Sequence, residues 1–282
     1  LGNKFLSHIR ETDAIVEVVR CFENSNVVHV DGSINPIRDI ETINLELIFA
    51  DIETVNKRID KAKKNLKADK KYQVEIDLLE RILETLESGK SARTLDFNDE
   101  EQSMVKEMFL LTTKPILYVA NVSEEQLENA EQDENVQKVK QYASEEGAEV
   151  VPLCVKMEEE LSGLDDEDKK EMLAMYNLDE SGLDKVVRKS YDLLGLMSFL
   201  TAGEPEVRAW TIKKGTKAPE AAGKIHSDIQ RGFIKAEVVS YDDLIKEGSM
   251  VAAKERGLVR SEGKEYVMQD GDIVLFKFNV SK

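Results

Sequence analysis

Lys114-Pro-Ile-Leu-Tyr-Val-Ala-Asn121 is a nearly unbroken apolar run that ends on a polar side chain. Apolar at odd and even positions alike, it suits a strand buried on both faces, as in a parallel sheet covered by helices. Two further stretches read the same way, Asp13-Ala-Ile-Val-Glu-Val-Val-Arg-Cys-Phe22 upstream and Ala148-Glu-Val-Val-Pro-Leu-Cys-Val155 downstream. Between the last two, Asn135-Val-Gln-Lys-Val-Lys-Gln-Tyr-Ala143 predicts a helix that ends near Gly147. Strand, helix and strand joined by short links make a βαβ unit, which places the chain in the α/β class.

Residues 39 to about 112 interrupt this pattern. Ile48, Ile52, Val55, Ile59, Ala62 and Leu66 recur at steps of four and three, and Ile76, Leu79, Leu83 and Leu86 repeat the spacing after a Lys-rich turn. That is the seam of an antiparallel coiled-coil hairpin, inserted over residues 49–112 between two strands of one sheet. Its charged outer faces are either a solvated surface or a docking arm for a large partner. Beyond Met157 the chain is acidic and helical, with a helix expected from Gly182 to Leu196. The composition then shifts. Short strands at Val207–Ile212, Ala236–Ser240, Glu265–Met268 and Ile273–Phe278 surround one helix at Ala221–Ile229, with a tight turn at Asp270-Gly271. Residues 201–282 therefore predict a small α+β domain, set apart from an α/β part at 1–48 and 113–200.

At 282 residues the chain is too long for one small core. Its net charge of −17 argues against broad nucleic-acid affinity and against a sequence-specific DNA reader. The charge is uneven: residues 201–282 hold 14 Lys/Arg against 13 Asp/Glu, and the first 200 hold 25 against 43. No run approaches the eighteen or so apolar residues of a membrane helix, and no signal peptide opens these residues. Cys21 and Cys154 stand far apart in apolar stretches, which predicts buried thiols in a cytoplasmic protein and no metal-site spacing.

Two motifs look chemical and are not. Gly89-Lys90-Ser91 matches the end of a G-x-x-x-x-G-K-[ST] phosphate loop, but Glu84 stands where the first glycine belongs. It also follows a helix, not a strand. Asp179-Glu-Ser-Gly182 fits D-x-x-G, yet no buried strand precedes it, and it reads as a helix N-cap. The informative motif is Asn121-Val122-Ser123-Glu124, at the end of a buried strand, where open α/β sheets hold their ligands. GTPases carry N-K-x-D there, with the aspartate accepting from N1–H and the 2-amino group of guanine. With Val122 in place of the lysine and Glu124 in place of the aspartate, guanine selectivity should relax or reverse. A second strand ending at Cys154-Val155-Lys156 is expected on the other side of the base, with Cys154 and Val155 lining it.

Gly2-Asn-Lys-Phe-Leu-Ser-His-Ile-Arg-Glu-Thr-Asp-Ala14, Val19-Arg-Cys-Phe-Glu-Asn24, Ala120-Asn-Val-Ser-Glu124, Glu206-Val-Arg-Ala-Trp-Thr211, Ala221-Ala-Gly-Lys-Ile-His226 and Asp270-Gly-Asp272 together closely resemble the YchF/Obg-like ATPase family, in order and over nearly the whole chain. The resemblance implies a Ras-like P-loop nucleotide-binding domain, a coiled-coil insertion and a C-terminal TGS domain with a β-grasp fold. It implies hydrolysis of ATP in preference to, or alongside, GTP, with Mg²⁺, and association with the ribosome or its RNA. The family's phosphate loop, Mg²⁺-binding Ser/Thr and D-x-x-G switch precede the point matched by Leu1. None occurs within these residues, and an N-terminal segment carrying them is expected.

The resemblance also implies that an apolar residue replaces the water-orienting glutamine of Ras-type enzymes. His29, in Val27-Val-His-Val30, is then either a water-positioning catalytic residue or a loop histidine with a structural hydrogen bond. His8 is expected to pack in a helix, and Trp210 to pack in a core. Lys213, Lys214, Lys217, Lys224, Arg231 and Lys235 make either one basic face for RNA or a dispersed solvated surface. A different class of function stays open: a non-catalytic module that binds RNA or ribosome without hydrolysis.

Overall fold

A computed structural model describes residues 2–24, 32–67, 69–203 and 206–279. The chain forms two compact units, Leu1–Ser190 and Tyr191–Lys282.

The first unit is built on a parallel sheet in the order β1-β2-β3, with β1 Ile15–Arg20, β2 Ile116–Asn121 and β3 Glu149–Leu153. Ile116 to Ala120 of the central strand are all buried, as the apolar run requires. The helices that accompany it in the chain are α1 Asn3–Arg10, α2 Pro36–Leu66, α3 Tyr72–Glu87, α4 Asp99–Lys106, α5 Glu134–Glu145, α6 Val155–Ser162, α7 Asp166–Met175 and α8 Gly182–Leu193. Helix α5 is the predicted crossover. Asp133 caps it by accepting from Asn135 and Val136 N–H, and Val136, Val139 and Ala143 face the sheet core.

The hairpin differs from its predicted extent. Helix α2 starts at Pro36, behind an Asn35 side chain that accepts from Arg38 N–H at 3.1 Å, and runs unbroken for 31 residues. A boundary at residue 48 falls inside it. The reason is a division of labour along one helix. Ile40 packs in the sheet core with Val19 and Tyr118, while Ile48, Val55 and Ile59 pack against Leu78, Leu79, Ile82 and Leu86 of the return helix. Across the hairpin Arg58 pairs with Glu75 at 2.7 Å and Lys63 with Glu80 at 3.0 Å.

Asp51, midway along α2, is wholly buried. Its oxygens accept from Leu111 N–H at 2.9 Å, Thr112 N–H and Oγ1–H at 2.7 Å each, and Arg10 Nη1 at 3.2 Å. One carboxylate thus fastens α1, α2 and the segment that leads into β2. A second polar layer lies near the sheet: Tyr118 donates to Glu146 Oε2 at 3.1 Å, and Arg93 Nη1 reaches the same oxygen at 3.0 Å.

The second unit is a five-stranded mixed sheet in the order β5-β4-β8-β6-β7, comprising β4 Leu196–Ala202, β5 Val207–Lys213, β6 Phe233–Ser240, β7 Arg260–Glu262 and β8 Asp272–Phe278. Helices α9 Ala218–Ile225 and α10 Ser227–Arg231 cover a core of Phe199, Ile212, Ala221, Ala222, Phe233 and Phe276. Helices α11 Tyr241–Glu247 and α12 Met250–Glu255 accompany a smaller cluster around Val239, Ala253 and Ile273.

Four readings are corrected. The unit begins near Tyr191, not at residue 201, because β4 belongs to this sheet and pairs with β5 along its whole length. The helix predicted to reach Leu196 stops at Leu193. Glu265–Met268 is no strand and makes one bridge, Val267 to Lys217. The helix read at Ala221–Ile229 breaks at His226, which is extended and whose Nδ1 accepts from Asp228 N–H at 3.1 Å. Trp210 is half-buried, stacked on Phe199 with centroids 6.5 Å apart, and donates to Thr201 Oγ1 at 2.9 Å. His8 is exposed on α1, off the face formed by Leu6, Ile9 and Arg10.

Replacing Asp51 by Ala should lower stability by about 3–5 kcal/mol, since buried donors and the Arg10 guanidinium lose their acceptor. The shift of the urea midpoint measures it, and a change within error removes Asp51 from this role. Glu17 in β1 offers a pH test. Burial pushes its carboxyl up to about 7, the Arg93 guanidinium pulling it down and Glu146 pushing it up less strongly. Unfolded, the group ionises near 4.5, so between these values the folded state holds a proton that the unfolded state has lost. Its stabilising contribution is full below pH 4.5 and is lost as pH rises through 7. Urea titrations across that window should show a shallower decline for Glu17→Gln than for the parent.

Candidate functional site

The C-terminal ends of β2 and β3 open into a cleft of about 620 Å³, lined by residues that include Phe22, Asn121, Ser123, Glu124, Cys154, Val155 and Lys156. Strand ends of a parallel sheet are the usual ligand position, because the chain must leave the sheet there and its loops diverge. Asn121, last residue of β2, turns its side chain across the gap, and Oδ1 accepts from Val155 N–H at 3.0 Å. That bond satisfies one of the orphan N–H groups at the start of α6 and ties the two strand ends together.

The next residues continue the bridge. Val122 N–H donates to Leu153 O at 2.9 Å. Ser123 N–H donates to Gln126 Oε1 at 2.8 Å, and Gln126 Nε2 donates to Asp133 Oδ2 at 2.7 Å and Cys21 O at 3.3 Å. The loop that carries Glu124 is thereby pinned to the end of β1 and to the cap of α5. Glu124 Oε1 lies 2.6 Å from Lys156 Nζ, and this partner holds the lysine above its ordinary range. Phe22, which lines the cleft, carries the Arg20 guanidinium 4.7 Å over its ring, and Arg20 itself is not part of the lining.

The fold brings Asn121, Val122, Glu124, Cys154 and Val155 to one place. Their exposures divide them. Val122 is 1% exposed and packs in the core with Cys21 and Ala130, and Cys154 is 3% exposed. Burial raises the thiols of both cysteines, Cys21 up to about 12 with help from Asp133. Both behave as packing groups, whereas Val155, Glu124 and Lys156 reach solvent. His29 lies outside the described residues. The sequence places Lys156 at the end of the neighbouring strand run and Phe22 in a stretch that carries the resemblance, whereas Gln126, which pins the loop, is passed over. Gln126, three places beyond Ser123, follows the spacing of a local side-chain-to-backbone turn, and nothing in the sequence signals the pairing of Lys156 with Glu124.

The two decoys resolve as packing. Gly89 sits at φ +80°, where its N–H bonds Leu86 O beyond the end of α3. At Asp179–Gly182 the cap is Ser181, which accepts from Asp184 N–H at 3.0 Å, and Glu158 accepts from Gly182 and Leu183 N–H. Gly182 must lack a side chain, because a Cβ there would sit 2.5 Å from Leu153 Cβ. Among the described residues no group of three or more His, Cys, Asp or Glu is placed to hold a metal ion, and no helix is long and apolar enough to cross a membrane.

A family profile named YchF-GTPase_C, described as a protein of unknown function (DUF933), matches residues 196–279. The chain is 56% identical over 281 residues to the "Ribosome-binding ATPase YchF" of Bacillus subtilis, covering 99% of this chain and 77% of that protein. It is 46% identical to the protein of the same name from Escherichia coli O157:H7, with the same coverage. The structure of the Schizosaccharomyces pombe YchF GTPase superposes with a TM-score of 0.85 at 36% identity, covering 98% of this chain and 75% of that one.

Asn121→Ala should cost about 1–2 kcal/mol, as Val155 N–H loses its acceptor and the strand ends separate. Asn121→Asp, which keeps an acceptor, should cost less. Thermal denaturation of the three proteins orders them; equal values for Ala and Asp would show that the bridge carries no stability.

Proposed function

The chain belongs to the YchF/Obg-like family of P-loop NTPases, and from that premise we propose that it binds and hydrolyses ATP, with GTP accepted alongside, as a ribosome-associated regulatory protein of the cytoplasm. The observation that carries the reading is the cleft at the ends of β2 and β3. There Asn121, bonded to Val155 N–H, and Glu124, on a loop pinned by Gln126, stand side by side. A purine base inserted at that mouth would meet the backbone of residues 121–124 on one side and of residues 154–155 on the other. Glu124 in place of an aspartate sets the carboxylate one methylene farther from the backbone, which weakens a guanine-specific pair of contacts.

These residues bind and orient the base. Hydrolysis requires a phosphate cradle, and Mg²⁺ would neutralise the phosphate charge during transfer. No described carboxylate cluster fits that ion, so its ligands are sought outside these residues, as is any water-positioning role of His29. The α2/α3 hairpin suits a coiled-coil docking arm because both helices carry dense charge outside one apolar seam. The unit from Tyr191, a mixed sheet wrapped on α9 and α10, suits a TGS domain of β-grasp type. Nucleotide state would then alter how these parts engage the ribosome.

Co-sedimentation with ribosomes in the presence of ATP, of ADP and of no nucleotide tests this reading. Pelleting should change at least several-fold with nucleotide state, and purified protein should release phosphate from ATP. Equal pelleting in all three conditions, with no phosphate release, would favour a non-catalytic ribosome- or RNA-binding module.

A further inference from the structure

Lys156 is the sole cation among the described residues that line the cleft, a lining that also holds four carboxylates, Glu23, Glu124, Glu125 and Glu159. Its ammonium lies 2.6 Å from Glu124 Oε1 and 3.8 Å from Glu160 Oε1. Helix α6 supplies the lysine and the loop after β2 supplies the glutamate, so the pair spans the cleft mouth. We propose that Lys156 is a specificity-determining residue, forming with Glu124 a paired donor and acceptor that reads the Watson–Crick edge of either purine. The proposal rests on the nucleotide-binding reading above and adds to it the group that decides between bases.

The chemistry follows from what each group can offer. A carboxylate only accepts hydrogen bonds and an ammonium only donates them. Adenine presents a donor, its 6-amino group, beside an acceptor, N1. Guanine presents the same two functions in the opposite order, an acceptor at O6 beside a donor at N1, with a second donor at the 2-amino group. Each edge therefore pairs one donor with one acceptor, and a carboxylate–ammonium couple complements both.

A carboxylate alone would not. It accepts twice from guanine but confronts the N1 lone pair of adenine, an unfavourable contact at a partly desolvated site. With Lys156 beside it, adenine N1 or guanine O6 finds a donor while Glu124 takes the adjacent N–H. The lysine can serve either order because its charge sits on a flexible four-carbon stem, and its side chain is 69% exposed. Asn121 has no such freedom, since its Oδ1 is committed to Val155 N–H.

The test titrates fluorescent ADP, GDP and IDP into the full-length protein and into Lys156→Met, Lys156→Arg and the double variant Lys156→Met/Glu124→Gln. Lys156 is a surface residue, so these changes should leave folding intact, which circular dichroism checks. Lys156→Met should raise the ratio of GDP to ADP affinity roughly tenfold, mainly by weakening ADP. IDP, which shares N1–H and O6 with guanine, should move with GDP. Lys156→Arg should restore the parental ratio, and removing the carboxylate in the double variant should bring the ratio back toward it. An unchanged ratio in Lys156→Met, with both affinities measurable, overturns the role of Lys156 and leaves the nucleotide-binding reading standing. IDP tracking ADP would also overturn it. Failure of the unmodified protein to bind any of the three removes the nucleotide reading itself, and the proposal with it.

Discussion

One buried carboxylate holds the first unit together. Asp51 lies where the long helix α2 passes from the sheet to its hairpin partner, and it accepts hydrogen bonds from the backbone of Leu111 and Thr112 and from the Arg10 guanidinium. A charge buried this deeply is tolerable only when fully satisfied, which makes the arrangement all-or-none. Its consequence is geometric. The chain leaves the sheet after β1, travels out and back along α2 and α3, and must re-enter beside β1 in register, with Val18 opposite Val119. Asp51 grips the re-entry segment just before β2, so the strand that ends in Asn121 arrives at the right place.

The cleft depends on that register. Asn121 and Glu124 contribute to it only because β2 and β3 end at the same level, and the Asn121–Val155 bond exists only if they do. Gln126 then carries the constraint sideways to Cys21 and to Asp133, so the ends of all three strands are linked through side-chain-to-backbone hydrogen bonds. The second unit relies on a different device. Its core is built around aromatic contacts, with Phe276 edge-on to Phe199 at 5.9 Å and Trp210 stacked on Phe199 at 6.5 Å. It uses small Ala221 and Ala222 to bring α9 close to the sheet.

Local patterning made the β2 strand, the α5 crossover and the hairpin seam legible, the first as an unbroken apolar run and the other two as helical periods sustained over enough residues. The seam was incomplete: Leu78 and Ile82 are as buried as the residues read from the spacing, since the hairpin packs against α4 and the following loop as well as against itself. Strand β4 was missed because Leu196-Met-Ser-Phe-Leu-Thr-Ala202 follows closely on a helix with only Leu194 and Gly195, the latter at φ +62°, between them. Such a turn carries little composition signal. Strand β7 is three residues long and is defined by its partner β6 alone.

The sequence by itself determined the α/β class, the inserted helical arm, the existence of a separate C-terminal unit and the motif Asn121 to Glu124. These rest on hydrophobic period, turn residues and side-chain chemistry, all of which are local properties. Only the tertiary structure decided that Val122 turns into the core, that Asp51 is the clasp, and that Lys156 reaches Glu124 across the cleft. Each of those facts joins residues tens of positions apart, and a pairing of that kind is set by the strand register and helix packing that bring them together.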